Sequence, residues 1–113
     1  MDTTSFSVGT QQTEFSKEML KQKGLVLVEF FAIWSGASHI MNPVFKEIRE
    51  NFADYVRSFR LDIDTYKELA DEFGIRNAPA YILLQNGKVL DMYQGMISKK
   101  ILLNKIKIVV RNN

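Results

Sequence analysis

The sequence predicts an α/β domain with a central mixed β-sheet flanked by helices on both faces. Three observations point there. Helix-period and strand-period patterns alternate along the chain, an order that requires parallel crossovers. The run GLVLVEFFA, residues 24–32, hardly alternates, as in a strand covered on both faces. Asn86-Gly87 sits between two apolar runs late in the chain, which adds an antiparallel hairpin and makes the sheet mixed.

The elements follow in order. A short first strand is read near Ser5 to Val8. Thr13 can cap a helix to about Lys23, with Phe15, Met19 and Leu20 on one face and Gly24 as its stop. Leu25 to Phe31 is the buried strand. A helix from about Ser35 to Phe52 turns Ile40, Met41, Val44, Phe45, Ile48 and Phe52 inward. Pro43 lies inside it and should kink it, because proline removes a backbone donor. Tyr55 to Leu61 reads as a second core strand, with Val56, Phe59 and Leu61 buried. In DTYKELADEFG, Thr65 and Glu68 fit a capping box and Gly74 ends the helix. AYILLQNGKVLDMY is the hairpin, its Asn-Gly pair suited to a type I′ turn. Ser98 caps a last amphipathic helix with Ile101, Leu102, Ile106, Val109 and Val110 inward. Lys99, Lys100, Lys105, Lys107 and Arg111 line its outer side, as on a solvated face.

Composition narrows the function. A chain of 113 residues, 46% hydrophobic and 25% charged, fits one globular domain, residues 1–113, with a core that needs no staples. There is no cysteine, so neither disulfides nor thiolate chemistry are available. With one histidine, His39, any metal site would rest on carboxylates. No metal and no cofactor are expected. Fifteen basic and 13 acidic residues leave a formal charge of +2, too little to argue for nucleic acid. The apolar run from Leu25 to Trp34 is interrupted by Glu29 and too short to span a bilayer. No basic leader with an apolar stretch is visible. The expectation is a cytoplasmic monomer with neither a nucleic-acid nor a membrane partner.

The chemistry-bearing stretch is Trp34-Ser35-Gly36-Ala37-Ser38, placed after the buried strand and opening a helix with Pro43 in it. Its neighbours are distinctive too. Glu29 lies near the end of the apolar strand, followed by Phe30-Phe31-Ala32, Leu61-Asp62-Ile63-Asp64 ends the second strand, Gly74-Ile75-Arg76-Asn77-Ala78-Pro79 precedes the hairpin, and Gly95 follows the last strand. In this order and at these spacings the chain resembles the thioredoxin family over nearly its whole length. The resemblance implies a thioredoxin-like fold and a cis peptide before Pro79. It implies a groove of Trp34, Gly36, Ala37, Ile63, Ala78, Pro79, Gly95 and Met96 that receives an extended peptide by strand addition. It also implies that Ser35 and Ser38 occupy the positions of the family's catalytic cysteines. Ala37 stands where the family has proline, Glu29 takes the place of the buried proton-relay acid, and Arg60 that of a lysine near it.

Dithiol exchange needs a thiolate stabilised at a helix N-terminus and a second thiol close enough to resolve the mixed disulfide. A serine hydroxyl forms no anion at neutral pH, so the chain as given cannot exchange disulfides. The two serines fit natural replacement, engineered replacement of cysteine, or helix capping. A Ser35–His39 nucleophile lacks an acid nearby in sequence to orient the imidazole, so a helix-surface histidine is expected. Trp34 is expected at the rim, available to a partner. Glu29, in a strand that is otherwise buried, should titrate high unless Arg60 compensates it. The functional expectation is a redox-inert binding module for protein or extended peptide segments, engaged weakly and transiently. Its rivals are the Cys-to-Ser form of a protein-disulfide oxidoreductase and a structural or chaperone-like subunit.

Overall fold

The computed structural model describes residues 18 and 21–112. The expected first strand lies outside the described residues. So does most of the expected first helix, of which Glu18 and Lys21 are helical. The described order is β1 (Leu25–Phe31), α1 (Gly36–Asn51), β2 (Val56–Asp62), α2 (Lys67–Glu72), β3 (Ala80–Gln85), β4 (Lys88–Gln94) and α3 (Lys99–Arg111).

The four described strands form one sheet in the order β2-β1-β3-β4. β1 runs parallel to β2 and antiparallel to β3, and β3 runs antiparallel to β4. β1 is central and apolar on both sides because both sides are covered. Val26, Val28 and Phe30 pack with Leu69 and Ala70 of α2. Leu25 and Leu27 pack with Met41, Phe45 and Ile48 of α1 and with Leu102 and Ile106 of α3. Helices therefore lie on both faces of a mixed sheet, as the sequence order requires.

Local chemistry sets the ends. Asn86 and Gly87 both hold positive φ, 50° and 80°, as the two-residue hairpin turn demands. Asn86 Oδ1 also accepts from Gly24 N at 2.8 Å, which ties the hairpin tip to the residue before β1. Ser98 caps α3, its hydroxyl accepting from Ile101 N at 3.1 Å. α1 continues through Pro43, whose missing N–H removes one rung of the helical ladder.

Three local expectations are corrected. Ile40 and Ile101 are 62% and 52% exposed rather than inward. Each lies one position off a narrower seam, Met41-Phe45-Ile48 in α1 and Leu102-Ile106 in α3. The Thr65–Glu68 capping box does not form, because α2 begins at Lys67 after Tyr66, with no side-chain cap. Asp62 Oδ1 at the end of β2 instead accepts from Asp64 N at 2.8 Å and Thr65 N at 3.4 Å, taking up the free amides before the helix starts. The second strand begins at Val56, leaving Tyr55 exposed and Phe59 half-buried.

Candidate functional site

The candidate site is where β1 hands over to α1. Phe31 ends the strand, Ile33 and Trp34 turn outward, and Ser35 becomes the N-cap of α1 with extended backbone, φ −99° and ψ 117°. Its Oγ accepts from Ser38 N at 3.2 Å, taking one of the free amides of the first turn. The same hydroxyl donates to Ala78 O at 3.2 Å across 43 residues of sequence. Ser35 thus joins the helix start to the loop before β3. Ser38 is 1% exposed, and its Oγ accepts from Ala32 N at 3.1 Å. Both hydroxyls are built into the fold.

Ser38→Ala therefore strands the N–H of Ala32, a fully buried residue. The expected loss is about 1–3 kcal/mol of stability in urea unfolding. A change below a few tenths would show that the hydroxyl has no structural work there.

Of the expected groove residues, Trp34 and Ile63 line a described groove, while Gly36, Ala37, Ala78, Pro79, Gly95 and Met96 lie outside its lining. The Ala78–Pro79 peptide is cis. Gly95 N donates to Pro79 O at 2.7 Å, which sets Gly95 beside the proline and leaves Met96 next to it, 56% exposed. Ile63 N donates to Phe31 O at 2.8 Å, carrying the β2 end to the base of the loop. Trp34 is 67% exposed, yet its ring is oriented, because Nε1 donates to Asp64 Oδ2 at 2.8 Å. Trp34, Ile63, Asp64, Ile75 and Arg76 line a groove of about 300 Å³. Gly36 is exposed and Ala37 half-buried at the start of α1.

His39 is not aimed at Ser35. Its Nε2 donates to Ile33 O at 2.9 Å, while Ser35 Oγ is engaged with Ser38 and Ala78. Ser35 and His39 are therefore not hydrogen-bonded to each other.

Glu29 lies in the sheet, fully buried, and its partners follow from strand register. It pairs with Arg60 across β2 and with Tyr81 across β3. Arg60 Nε donates to Glu29 Oε1 at 2.7 Å, and Tyr81 OH donates to Oε2 at 2.6 Å. The Arg60 guanidinium also sits 3.9 Å over the Phe31 ring. Burial pushes the Glu29 carboxyl above its ordinary range, and the bonds from Tyr81 and Arg60 pull partly back. Burial, and then the adjacent carboxylate, push the Tyr81 phenol far up, so it remains a donor.

Three residues of this region escaped the sequence reading. Tyr81 is a tyrosine in an otherwise aliphatic strand, a signal that some buried acceptor waits for its hydroxyl. Asp64 was read only as part of a strand end. Gln94 bridges the loop, its Oε1 accepting from Arg76 N at 2.9 Å and its Nε2 donating to Gly74 O at 3.3 Å.

Among the described residues no cluster of histidine, cysteine, aspartate and glutamate could hold a metal ion. No described helix is long and apolar enough to cross a membrane.

Comparison with known proteins converges on one family. The family model described as Thioredoxin matches residues 6–108. The chain is 33% identical over 94 residues to a thioredoxin of Rickettsia felis, covering 83% of this chain and 90% of that one. It is 32% identical over 82 residues to the chloroplastic thioredoxin Y2 of Arabidopsis thaliana, covering 73% of this chain. The match spans about half, 49%, of that longer protein. Among solved structures, the Malassezia sympodialis thioredoxin superposes with a TM-score of 0.75 at 27% identity, covering 83% of this chain and 82% of that one. With the helix start, the proline loop and the strand order already in place, the chain belongs to the thioredoxin family, and it carries no cysteine.

Proposed function

We propose that this chain is a redox-inert protein-binding module, which holds extended peptide segments of partner proteins weakly and transiently. The observation that carries the reading is Trp34, held open at the rim by Asp64 beside a loop whose hydroxyls are both committed to structure. A large, oriented and exposed indole is the side chain that most often dominates a binding surface. The loop beside it has no thiol to react. The segment would lie across Ala78, Pro79 and Gly95 and contact Trp34, Gly36, Ala37, Ile63 and Met96. Such a small, mostly apolar surface suits modest affinity. A cytoplasmic setting and a monomeric state are parts of this proposal.

The test is titration of a purified partner, first captured with this chain as bait, against the chain and against Trp34→Ala. The expected result is an affinity lower by at least about tenfold in the variant. Equal affinity would move the binding surface away from the loop and favour the structural or chaperone-like reading.

A second reading has one specific observation behind it. Glu29 is retained, buried and high-titrating, although no thiol is present for it to serve. That favours a parent protein-disulfide oxidoreductase in which Ser35 and Ser38 replace cysteines. Codons for cysteine at positions 35 and 38 of the natural gene would decide for it.

A further inference from the structure

α3 leaves one face uncovered, and that face has a consistent chemistry. The helix carries Lys99, Lys100, Lys105, Lys107 and Arg111 and no acid. Leu102 and Ile106 anchor it to the sheet, with Leu103, Val109 and Val110 packed alongside. At 3.6 residues per turn the remaining side chains fall in order around a little under half the circumference. Lys107, Lys100 and Arg111 form one flank, Asn104 follows, Ile108 and Ile101 make the crest, and Lys105 is the other flank, all of them exposed. Ile101 and Ile108 are 52% and 54% exposed. They stand seven residues apart, about 10 Å along the axis, on the same side.

Charge pairing divides the cations. Lys99 is paired with Glu47 at 3.0 Å and Lys105 with Asp91 at 3.3 Å. Lys100, Lys107 and Arg111 have no ion pair among the described residues. Two isoleucines standing out of a cationic ridge are costly to leave in water and gain nothing from a purely polar neighbour.

We propose that this face is a peripheral docking surface for an anionic lipid bilayer, with Lys100, Lys107 and Arg111 on the headgroups and Ile101 and Ile108 dipping between them. The complement must be negative, because α3 carries no acid and the cations of one flank, Lys100, Lys107 and Arg111, have no ion pair among the described residues, whereas Lys105 on the other flank is met by Asp91. It must also be soft and apolar just beneath its charge, because the isoleucines protrude from a convex ridge. Among the described residues, neither of the two grooves, one at Arg49 to Phe59 and one at Trp34 to Arg76, is lined by α3. A rigid protein partner would have to bring its own pocket for each isoleucine, whereas a bilayer interface yields to both. A phosphate backbone would meet the cations but leave the isoleucines unrewarded. That no described helix is long and apolar enough to cross a bilayer, and that the formal charge is only +2, do not bear on such a contact, because the contact is peripheral and these cations lie on one helix. Docking of this kind is reversible and salt-sensitive. It is independent of the Trp34 loop, so either proposal can fail alone.

The experiment is co-sedimentation of the full chain with phosphatidylcholine vesicles and with mixed phosphatidylcholine–phosphatidylserine vesicles. Partitioning is expected to be on the order of a hundredfold stronger onto the mixed vesicles, from about three unpaired cations near the surface. It should collapse in Lys100→Glu/Lys107→Glu/Arg111→Glu and at molar salt. Ile101→Ser/Ile108→Ser should weaken it roughly tenfold. All five positions are exposed, and melting curves check that each variant is folded. No binding, equal binding to both vesicle types, or serine-lipid binding that survives charge reversal would overturn the proposal. Binding unchanged in the isoleucine variant would overturn the proposal too, because it would show electrostatic adsorption to any anionic surface without the isoleucines.

Discussion

Arg60→Met is expected to lower stability by about 3 kcal/mol at neutral pH, the largest effect of any single substitution considered around the site. Glu29 is fully buried and has two partners, Arg60 Nε at 2.7 Å and Tyr81 OH at 2.6 Å. Methionine keeps much of the stem over Phe31 but removes the cation. The carboxylate is then left with one hydrogen bond in an apolar layer. The deficit should depend on pH, and its sign follows from the carboxyl's raised position. Folded Glu29 protonates at higher pH than its ordinary value of 4.5, chiefly because it is desolvated. Between that value and its folded pKa the native state holds more protons than the unfolded one. The contribution of Glu29 to stability is therefore fully present below about pH 4.5 and is lost as pH rises through the folded pKa. Without Arg60 the carboxyl titrates higher still and the loss deepens. Urea unfolding of both proteins from acid to neutral pH reads this directly, with the gap between them widening as pH rises. A gap that is constant across the range would show that Arg60 acts by packing on Phe31 alone.

The second large effect is a gain. Ser35→Cys/Ser38→Cys should reduce insulin disulfides with dithiothreitol as the electron source, where the chain as given shows no turnover above the dithiothreitol background. Position 35 is the N-cap of a 16-residue helix with no acid in its first turn, and Ser38 N points at its side chain. A sulfur there faces an unopposed helix dipole and an amide donor, both of which favour thiolate. It attacks the insulin disulfide, and the sulfur at position 38, three residues on, displaces the reduced insulin chain as the loop disulfide closes. Dithiothreitol then returns two electrons and two protons. Ser35→Cys alone should accumulate mixed disulfide and fail to turn over. An inactive but folded double variant would show that the lost function extends beyond two sulfur atoms, with Ala37 and the Arg60–Glu29–Tyr81 lock as the first places to look.

How much of this was legible depended on the range of the interaction. Local chemistry was readable: the unalternating apolar run of β1, the Asn86-Gly87 turn, and the capping serines at 35 and 98 each act within a few residues. The fold class follows from those elements and their order. The failures are also local patterns, lost to stronger competitors. Thr65 and Glu68 had the spacing of a capping box, but Asp62 holds the Asp64 and Thr65 amides in a turn and the helix starts only at Lys67, after Tyr66. Ile40 and Ile101 had helical spacing, but the seams against the sheet were one position narrower than the apolar runs. The site itself was legible as a loop but not as a network. Tyr81 meets Glu29 across 52 residues and Ser35 meets Ala78 across 43, contacts that exist only once strand register is set. The Glu29–Arg60 pair could be anticipated because a buried acid needs a cation. The phenol closing its other oxygen was signalled only as a buried tyrosine in need of some acceptor, because its match to Glu29 is set by strand register.

The serine loop and its rim are the proposed binding surface. The most direct measurement is an amide chemical-shift map of the isotope-labelled chain as a purified partner segment is added under reducing conditions. The expected footprint covers Trp34, Gly36, Ala37, Ile63, Ala78, Gly95 and Met96, with the Trp34 indole N–H among the largest shifts because the exposed ring stands at the rim of the loop. A footprint that leaves those residues unmoved and gathers elsewhere on the molecule would contradict it.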